Sequence, residues 1–281
     1  MSRRTTTFCV LWGLVGCASH PHTDTVFPAA SVAQDRGAVV FVLTAANEQT
    51  LADGTTRDTG FFLNEFYEAY RHVVDHGYSV VIATPGGVAP VVDPESLDED
   101  YWGDHPERIQ EAERLMETRS LLEPLSLEEA LATVDQFQGI VVPGGQGVME
   151  DLLESETLHS LLHAMAQRHR AIGLICHAPA LLLRMRENNP LEGRMVTSVT
   201  GLEEWFIETF VMNAEARFRR IGKQLARAGY DHVSAFPGRG HARRDCNLVT
   251  SQNPFSGEEF STHFLAALED ARRGARCVPN P

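Results

Sequence analysis

The stretch Ala171-Ile172-Gly173-Leu174-Ile175-Cys176-His177-Ala178-Pro179-Ala180 runs from a short apolar segment directly into a segment with helical character. The residues before Cys176 are apolar or glycine, which is typical of a strand buried on both faces of a parallel sheet. Pro179 suits the first turn of a helix, so we expect a helix to begin just after the cysteine. This strand-to-helix turn predicts an α/β fold with a thiol at the bend.

The same alternation of strand and helix continues on both sides of this turn. Strands are predicted over residues 38–43, 79–83, 139–142, 171–175 and 247–250. Helices are predicted over residues 61–75, 158–168, 178–186, 203–228 and 258–271. Apolar strands that alternate with helices predict one α/β domain, in which a mainly parallel sheet is covered on both faces.

The first residues of the chain predict export. A basic Arg3-Arg4 pair precedes a short apolar run, and Leu14-Val15-Gly16-Cys17 resembles the lipobox of bacterial lipoproteins, which implies cleavage before Cys17 and acylation of its thiol. We therefore expect a signal peptide at 1–16, a tether at 17–36 and a single domain at 37–276 with an acidic helical insertion at about 94–133. The expected location is the bacterial cell envelope, lipid-anchored on the periplasmic side of the outer membrane in a Gram-negative cell. An ordinary secretory peptide with an incidental cysteine is the alternative.

Composition narrows the classes of partner. Hydrophobic residues make up 43% of the chain, which is ample for a buried core, and the formal net charge is −14. A surface of that charge repels phosphate backbones, so we expect no nucleic-acid partner. The acidic excess is concentrated between Asp93 and Asp135, where either a solvated face or a docking face for a basic partner is consistent with the pattern.

Three sequence features are candidates for chemistry. Cys176 lies at the predicted start of a helix, where the helix dipole favours the nucleophilic thiolate, although a buried structural cysteine gives the same spacing. Glu65 lies among aromatic residues, and a carboxylate is expensive to bury there without a task. Gly144 and Gly145 follow a strand, so their N–H groups can approach a ligand oxygen, or they simply permit a tight strand exit.

Four motifs and a C-terminal segment together resemble the ThiJ/PfpI superfamily, and within it the glutathione-independent glyoxalase III branch, which also includes heat-inducible chaperones. The matching segments are Thr59-Gly60-Phe61-Phe62-Leu63-Asn64-Glu65, Ala83-Thr84-Pro85-Gly86-Gly87 with Asp93, Val142-Pro143-Gly144-Gly145-Gln146-Gly147, Cys176-His177, and Asn247-Leu248-Val249-Thr250-Ser251-Gln252-Asn253-Pro254-Phe255-Ser256. The resemblance implies a flavodoxin-like three-layer sandwich with a cysteine nucleophile elbow. It also implies conversion of small 2-oxoaldehydes, such as methylglyoxal, to 2-hydroxy acids such as lactate, as in a lactate dehydratase (a hydro-lyase). No cofactor or metal is implied, the partner is a small aldehyde substrate, and relatives commonly form homodimers.

The same resemblance implies residue roles. Cys176 is similar to the nucleophile, Glu65 to the acid that meets it, His177 to the adjacent polar group and Glu204 to a further acid. Gly144 and Gly145 match the turn that is expected to hold a developing oxyanion. Gln146 and Ala178 depart from the branch, which commonly has histidine and glycine at these positions. The first departure puts any proton relay through that position in doubt.

Other interpretations of the sequence stay open. An envelope holdase chaperone or stress-protection module would not need the thiol, whereas a cysteine peptidase or a redox sensor would use the same elbow. Without the signal peptide and an acylated Cys17, three cysteines remain. A Cys246–Cys277 disulfide would leave Cys176 as the free thiol, and two unpaired surface thiols are the alternative.

Overall fold

The structure is a computed structural model that describes residues 36–185 and 188–276. Its strands are β1 (Ala38–Val42), β2 (Glu48–Thr50), β3 (Thr56–Asp58), β4 (Ser79–Thr84), β5 (Leu125–Ser126), β6 (Phe137–Val142), β7 (Ala171–Ile175), β8 (Met195–Val196), β9 (Asp231–His232), β10 (Ala242–Asp245) and β11 (Leu248–Ser251). Its α-helices are α1 (Leu63–Asp75), α2 (Glu107–Met116), α3 (Arg119–Leu122), α4 (Leu127–Ala132), α5 (Glu156–Gln167), α6 (Gly201–Phe206), α7 (Ile221–Arg227) and α8 (Gly257–Arg272).

A central sheet confirms the predicted α/β class. Its strand order is β10-β11-β7-β6-β1-β4-β5, and every neighbouring pair is parallel except β10 and β11. The middle strands β1, β6 and β7 consist almost entirely of buried residues, because helices cover the sheet and leave no strand face for solvent. All five predicted strands are present, with ends that differ by at most two residues.

Helices pack against this sheet in two pairs. α1 packs on α8, and α8 also contacts β6, β7 and β11, whereas α4 packs on α5, which contacts β6 and β7. Gly173 in β7 leaves room for the Phe260 ring of α8, because a Cβ atom there would lie 2.6 Å from that ring. Side chains alternate along a strand, so the neighbours of Gly173 face the other layer. This arrangement agrees with the expected three-layer sandwich.

Two predicted helices are wrong in type or extent. Residues 178–186 were expected to form an α-helix, but Ala178–Arg184 is a 3-10 helix. Over so short a run the apolar spacing does not distinguish 3.0 from 3.6 residues per turn, and the close packing of this buried segment decides the pitch.

Residues 203–228 are not one helix. α6 ends at Phe206, a π-helical turn follows at Ile207–Val211, and α7 begins only at Ile221. The Glu208 carboxylate accepts hydrogen bonds from the Ala216 N–H (3.1 Å) and the Arg219 guanidinium, which ties the intervening loop in place. These tertiary contacts override the helical periodicity of the sequence.

Several short elements lack a clear sequence signal. The hairpin of β2 and β3 lies between the first strand and α1, and the predicted insertion at about 94–133 also supplies β5, the edge strand beside β4. None of the helices within the described ranges is both long and apolar enough to cross a bilayer. The predicted signal peptide and all of the predicted tether except Arg36 lie within residues 1–35, which are outside the described residues.

Candidate active site

Cys176 stands at the bend between β7 and the 3-10 helix, as the sequence predicts. Its φ of +58° is a left-handed conformation that is uncommon for a residue with a side chain. Two backbone hydrogen bonds hold this conformation: the Cys176 N–H donates to the Ser251 carbonyl (2.8 Å), and its carbonyl accepts from the Val199 N–H (2.9 Å). Such strained turns concentrate at functional sites, where the surrounding structure fixes them.

Glu65 meets Cys176 from the first turn of α1. Its carboxyl group is buried, with Oε2 accepting a hydrogen bond from the Gly144 N–H (2.8 Å) and a further hydrogen bond linking the group to the Cys176 thiol. The second oxygen, Oε1, is buried without a hydrogen-bond partner. A buried carboxyl oxygen that no protein group satisfies is costly for folding, which is typical of a group kept for chemistry.

Burial disfavours the charged forms of both the thiol and the carboxyl group. Burial raises the pKa of Glu65 to about 8, and burial together with the nearby carboxyl group also raises the pKa of Cys176. Two such groups cannot both ionise in a buried site, so the pair keeps a proton near neutral pH. In the form with a Cys176 thiolate, the protonated Glu65 donates to the sulfur and can pass its proton to a substrate oxygen.

Gly144 and Gly145 allow the segments that carry Cys176 and Glu65 to pack closely together. A Cβ atom at Gly144 would lie 2.8 Å from Cβ of Cys176 and 2.9 Å from Oε2 of Glu65, so only glycine fits between them. Gly145 has a φ of +104°, and a Cβ atom there would lie 2.4 Å from the Gly60 carbonyl oxygen. The Gly144 N–H is already bonded to Glu65, and of the two predicted oxyanion donors it is Gly145 that lines the cavity.

His177 is neutral and lies at the end of a hydrogen-bonded chain: Gln146 contacts its ring, and Gln49 contacts Gln146. Burial lowers the pKa of His177 to about 4, and its Nδ1 lies 3.2 Å from the Cys176 sulfur. The Gln49 amide donates to Oε1 of Gln146 (3.0 Å), which leaves the Gln146 amide N–H to face Nε2 of His177 (3.1 Å). In this assignment Nε2 accepts, so the proton sits on Nδ1 and points at the sulfur. Gln146 therefore contacts His177 even though it departs from the histidine of the resembling branch.

Of the two adjacent acids of α6, Glu203 and not Glu204 lines the cavity. Glu204, the further acid expected from spacing, accepts a hydrogen bond from the Ile221 N–H (3.2 Å) at the start of α7, and burial raises its pKa to about 7. Glu203 lines the cavity above Cys176. The geometry favours Glu203 over its neighbour as the acid next to the reactive groups, and a catalytic role for either residue stays a prediction.

These groups lie at the bottom of a cavity of about 520 Å3. Cys176, His177, Gln146 and Gly145 line its floor, and the side chains around them are mainly aromatic and aliphatic. Across residues 36–185 and 188–276, no cluster of three or more His, Cys, Asp or Glu residues is placed to hold a metal ion.

The predicted disulfide and lipidation sites fall partly outside the described residues. Cys246 is disulfide-bonded and Cys176 is a free, buried thiol. Cys277 and Cys17 lie outside the described residues, so the Cys246–Cys277 pairing and the acylation of Cys17 stay predictions.

Some residues of the site were missed by sequence reasoning. Gln49 comes from the β2–β3 hairpin, and its contact with Gln146 spans 97 residues, which no local pattern reveals. Trp205 and Phe206 line the cavity from α6. Their adjacent aromatic rings on a predicted surface helix were the available signal, because exposed aromatic pairs often mark binding surfaces.

A cysteine elbow on a mainly parallel sheet, with a carboxyl group beside the thiol, defines the class of this protein. The model of the DJ-1/PfpI family matches residues 108–267, more than half of the chain, so the protein belongs to the DJ-1/PfpI family.

Individual relatives are more distant. The chain is 28% identical over 137 residues to the Protein/nucleic acid deglycase HchA of Escherichia coli, covering 48% of this chain and 47% of that protein. It thus spans about half the length of the curated relatives it matches. Among solved structures, Rapid Encystment Protein 24 kDa of Francisella tularensis superposes with a TM-score of 0.69 at 22% identity, covering 83% of this chain and 99% of that chain. Glyoxalase III of Candida albicans superposes with a TM-score of 0.66 at 17% identity, covering 83% and 97%. At these identities the two structures are evidence for the fold alone.

Proposed function

We propose that the protein is a glutathione-independent glyoxalase that converts small 2-oxoaldehydes such as methylglyoxal to 2-hydroxy acids. One observation carries this proposal: a buried carboxyl group with a pKa raised to about 8 touches a buried thiol at the floor of an open cavity. The reaction needs a nucleophile and a proton carrier within reach of the same two carbons, and this pair supplies both.

The chemistry balances with the single proton of the pair. The Cys176 thiolate attacks the aldehyde carbon, and the Glu65 carboxylic acid protonates the aldehyde oxygen, which gives a hemithioacetal and a Glu65 carboxylate. The carboxylate then removes the proton from that carbon to form an enediolate, and the hydroxyl proton on the first carbon passes to the oxygen of the neighbouring carbon. Glu65 returns its own proton to that neighbouring carbon, which leaves a thioester on Cys176. Water hydrolyses the thioester, releasing the hydroxy acid and regenerating the thiol.

Two polar groups assist these steps. The Nδ1–H of His177 stabilises the thiolate through its hydrogen bond to the sulfur. Gly145 lines the cavity, and its N–H is the proposed donor to the oxygen that carries negative charge in the enediolate and during thioester hydrolysis.

The test is lactate formation from methylglyoxal without added glutathione or metal. We expect Cys176→Ala to lower kcat/KM by at least about 1,000-fold and Glu65→Gln by at least about 100-fold, since one removes the nucleophile and the other the proton carrier. Glu113→Gln is a matched control, because Glu113 is an exposed residue of α2 outside the cavity. Full activity of either site variant, or none in the unmodified protein with Cys176 reduced, contradicts the proposal.

Deglycation is a second candidate that one observation favours. The E. coli relatives are named as protein/nucleic acid deglycases, and the cavity here opens to the surface past exposed side chains, so an adduct on a larger molecule can approach Cys176. Release of methylglyoxal-derived lactate from a preformed hemithioacetal or aminocarbinol on a peptide, compared with free methylglyoxal, distinguishes the two activities. The thiol and the carboxyl group would perform the same steps in either case.

A further inference from the structure

The cavity above Cys176 is much larger than methylglyoxal requires. A volume of about 520 Å3 is in the range that proteins use for drug-sized ligands, whereas methylglyoxal has three carbons. The floor is polar, because it is built from the buried residues Cys176, His177 and Gln146. The unused space therefore lies between this floor and the mouth.

Large apolar side chains surround that space and stay exposed at the mouth. Trp205 is 49% exposed, Phe206 is 53% exposed and Phe236, on the loop before Gly238, is 74% exposed. All three line the same cavity as Cys176. Phe210 packs against both α6 aromatics, with ring centroids 5.8 Å from Trp205 and 5.0 Å from Phe206. A contiguous exposed patch of this kind is unfavourable in water and marks a binding surface.

Three of the four acidic residues that line the cavity already accept hydrogen bonds from protein groups, and the fourth, Asp100, is exposed at the surface. Glu203 accepts hydrogen bonds from the Gly238 N–H (2.9 Å) and the Asn253 amide (2.8 Å). The Tyr101 hydroxyl donates to Glu95 (2.6 Å), and Asp93 is bonded to the Thr59 hydroxyl (3.1 Å). These carboxylates repel an anionic substrate, and they have few free positions to bind polar groups. Apolar contact is the recognition that remains between floor and mouth.

From this arrangement we infer that the preferred substrates are neutral 2-oxoaldehydes that carry an aryl or longer alkyl group. The aldehyde carbon reaches Cys176, and the apolar group lies against Trp205, Phe206 and Phe236. The inference rests on the proposed glyoxalase function and names the substrate class of the same site. The covalent steps are unchanged, because the apolar group replaces only the methyl group of methylglyoxal.

The first test compares substrates of one reaction. We expect kcat/KM for phenylglyoxal to exceed that for methylglyoxal by at least about tenfold, since even one added methylene in an apolar pocket is worth about 10-fold or more. Phe206→Ser with Phe236→Ser should lower this ratio at least about threefold. Both rings are largely exposed, so their loss is expected to leave folding intact. Leu122→Ser is the matched control, because Leu122 is an exposed apolar residue of α3 outside the cavity, and it should leave the ratio unchanged.

The second test detects the apolar site without turnover. Acetophenone, a neutral aryl ketone, should slow alkylation of Cys176 by iodoacetamide at concentrations at which acetone does not, and the double variant should lose this protection. Mass spectrometry of the peptide that contains Cys176 gives the alkylation rate.

The two tests separate the possible failures. Protection by acetophenone without turnover of any aldehyde would overturn the proposed function and keep the apolar site. Methylglyoxal turnover with no aryl preference and no protection would overturn the apolar site and keep the function. A third outcome would also overturn the apolar substrate site. If the protein forms a dimer that the double variant abolishes, the three aromatic residues are covered by a second copy of the chain and are not free to bind substrate.

Discussion

The reactive thiol of Cys176 is defined by its partners more than by its own position. A helix start favours a thiolate, yet burial and the nearby Glu65 carboxyl group raise the pKa of this thiol, so a thiolate here depends on hydrogen bonds from the protonated Glu65 and from His177. The nucleophile is therefore one member of a coupled group, and its reactivity depends on a proton held by its neighbour.

A first prediction concerns Glu65 and stability. Its pKa rises from an ordinary value of 4.5 to about 8 on folding, so between these pH values the folded chain keeps a proton that the unfolded chain releases. Stability contributed by this group is thus present at low pH and lost as pH rises toward 8. Glu65→Gln cannot ionise, so its melting temperature should rise relative to the unmodified protein by more than about 4 °C between pH 5 and pH 8. Parallel pH dependence in both proteins would mean that the carboxyl group ionises freely in the folded state.

A second prediction concerns the glutamines behind His177. Gln146→Met removes the N–H that faces Nε2, so the Nδ1–H tautomer is no longer favoured and the thiolate loses a donor. The midpoint pH of Cys176 alkylation by iodoacetamide should move upward by about one unit. Gln49→Met should move it in the same direction by less, since Gln49 acts only through Gln146. An unchanged midpoint in both variants would exclude a positioning role for this pair.

At the scale of elements, one short helix organises the rim of the site. Glu203 closes a capping box at the start of α6 with Thr200 and also accepts hydrogen bonds from Gly238 and from Asn253. The helix is thereby joined to two loops of the cavity wall. Its continuation as a π-helical turn at Ile207–Val211 presents Phe210 beside Trp205, and such turns are often found at functional sites.

A third prediction separates the two adjacent acids of α6. Glu203→Gln replaces an oxygen acceptor by an N–H group that meets other donors, so it should lower the free energy of unfolding by about 1–3 kcal/mol and lower kcat/KM as well. Glu204→Gln should change kcat/KM by less than about twofold, because Glu204 faces α7 instead of the cavity. Urea unfolding and methylglyoxal turnover measure the two effects. The opposite ranking in turnover would restore the role expected from spacing for Glu204.

The element scale also shows where sequence patterns stop being informative. The buried strand β7 was predicted to the residue, because an uninterrupted apolar run bounded by turns has few alternative structures. The segment 203–228 has good helical periodicity and was predicted wrongly, because hydrogen bonds from Glu208 to Ala216 and Arg219 hold a loop between two shorter helices. The β2–β3 hairpin carries Gln49 into the site, but strands of three residues have too little pattern to predict.

At the scale of the whole molecule, the sequence before the domain bears on where in the cell the protein is located. The domain is a DJ-1/PfpI protein, and the preceding residues resemble a lipoprotein signal. We propose that the protein is held at the cell envelope by an acylated Cys17.

A fourth prediction tests this location in the full chain. Unmodified protein should sediment with membranes and incorporate radiolabelled palmitate, whereas Cys17→Ser should do neither, because the acyl chains are its expected anchor. Cys176→Ser serves as the control, since it changes the free cysteine of the domain without touching the lipobox or the disulfide. Soluble, unlabelled protein in both cases would contradict the proposed lipidation.

The sequence by itself determined the α/β class and the buried parallel strands, which follow from local apolar runs bounded by turns. The pairing of Cys176 with Glu65 was implied by the resemblance of their motifs to the ThiJ/PfpI superfamily. Only the tertiary structure decided that Gly144 donates to Glu65, that Glu203 and not Glu204 lines the cavity, and that Gln49 reaches Gln146. The physical reason is that these outcomes depend on side-chain directions and long-range contacts. A shift of one residue along a helix turns a side chain by about 100°, which sequence spacing alone does not resolve.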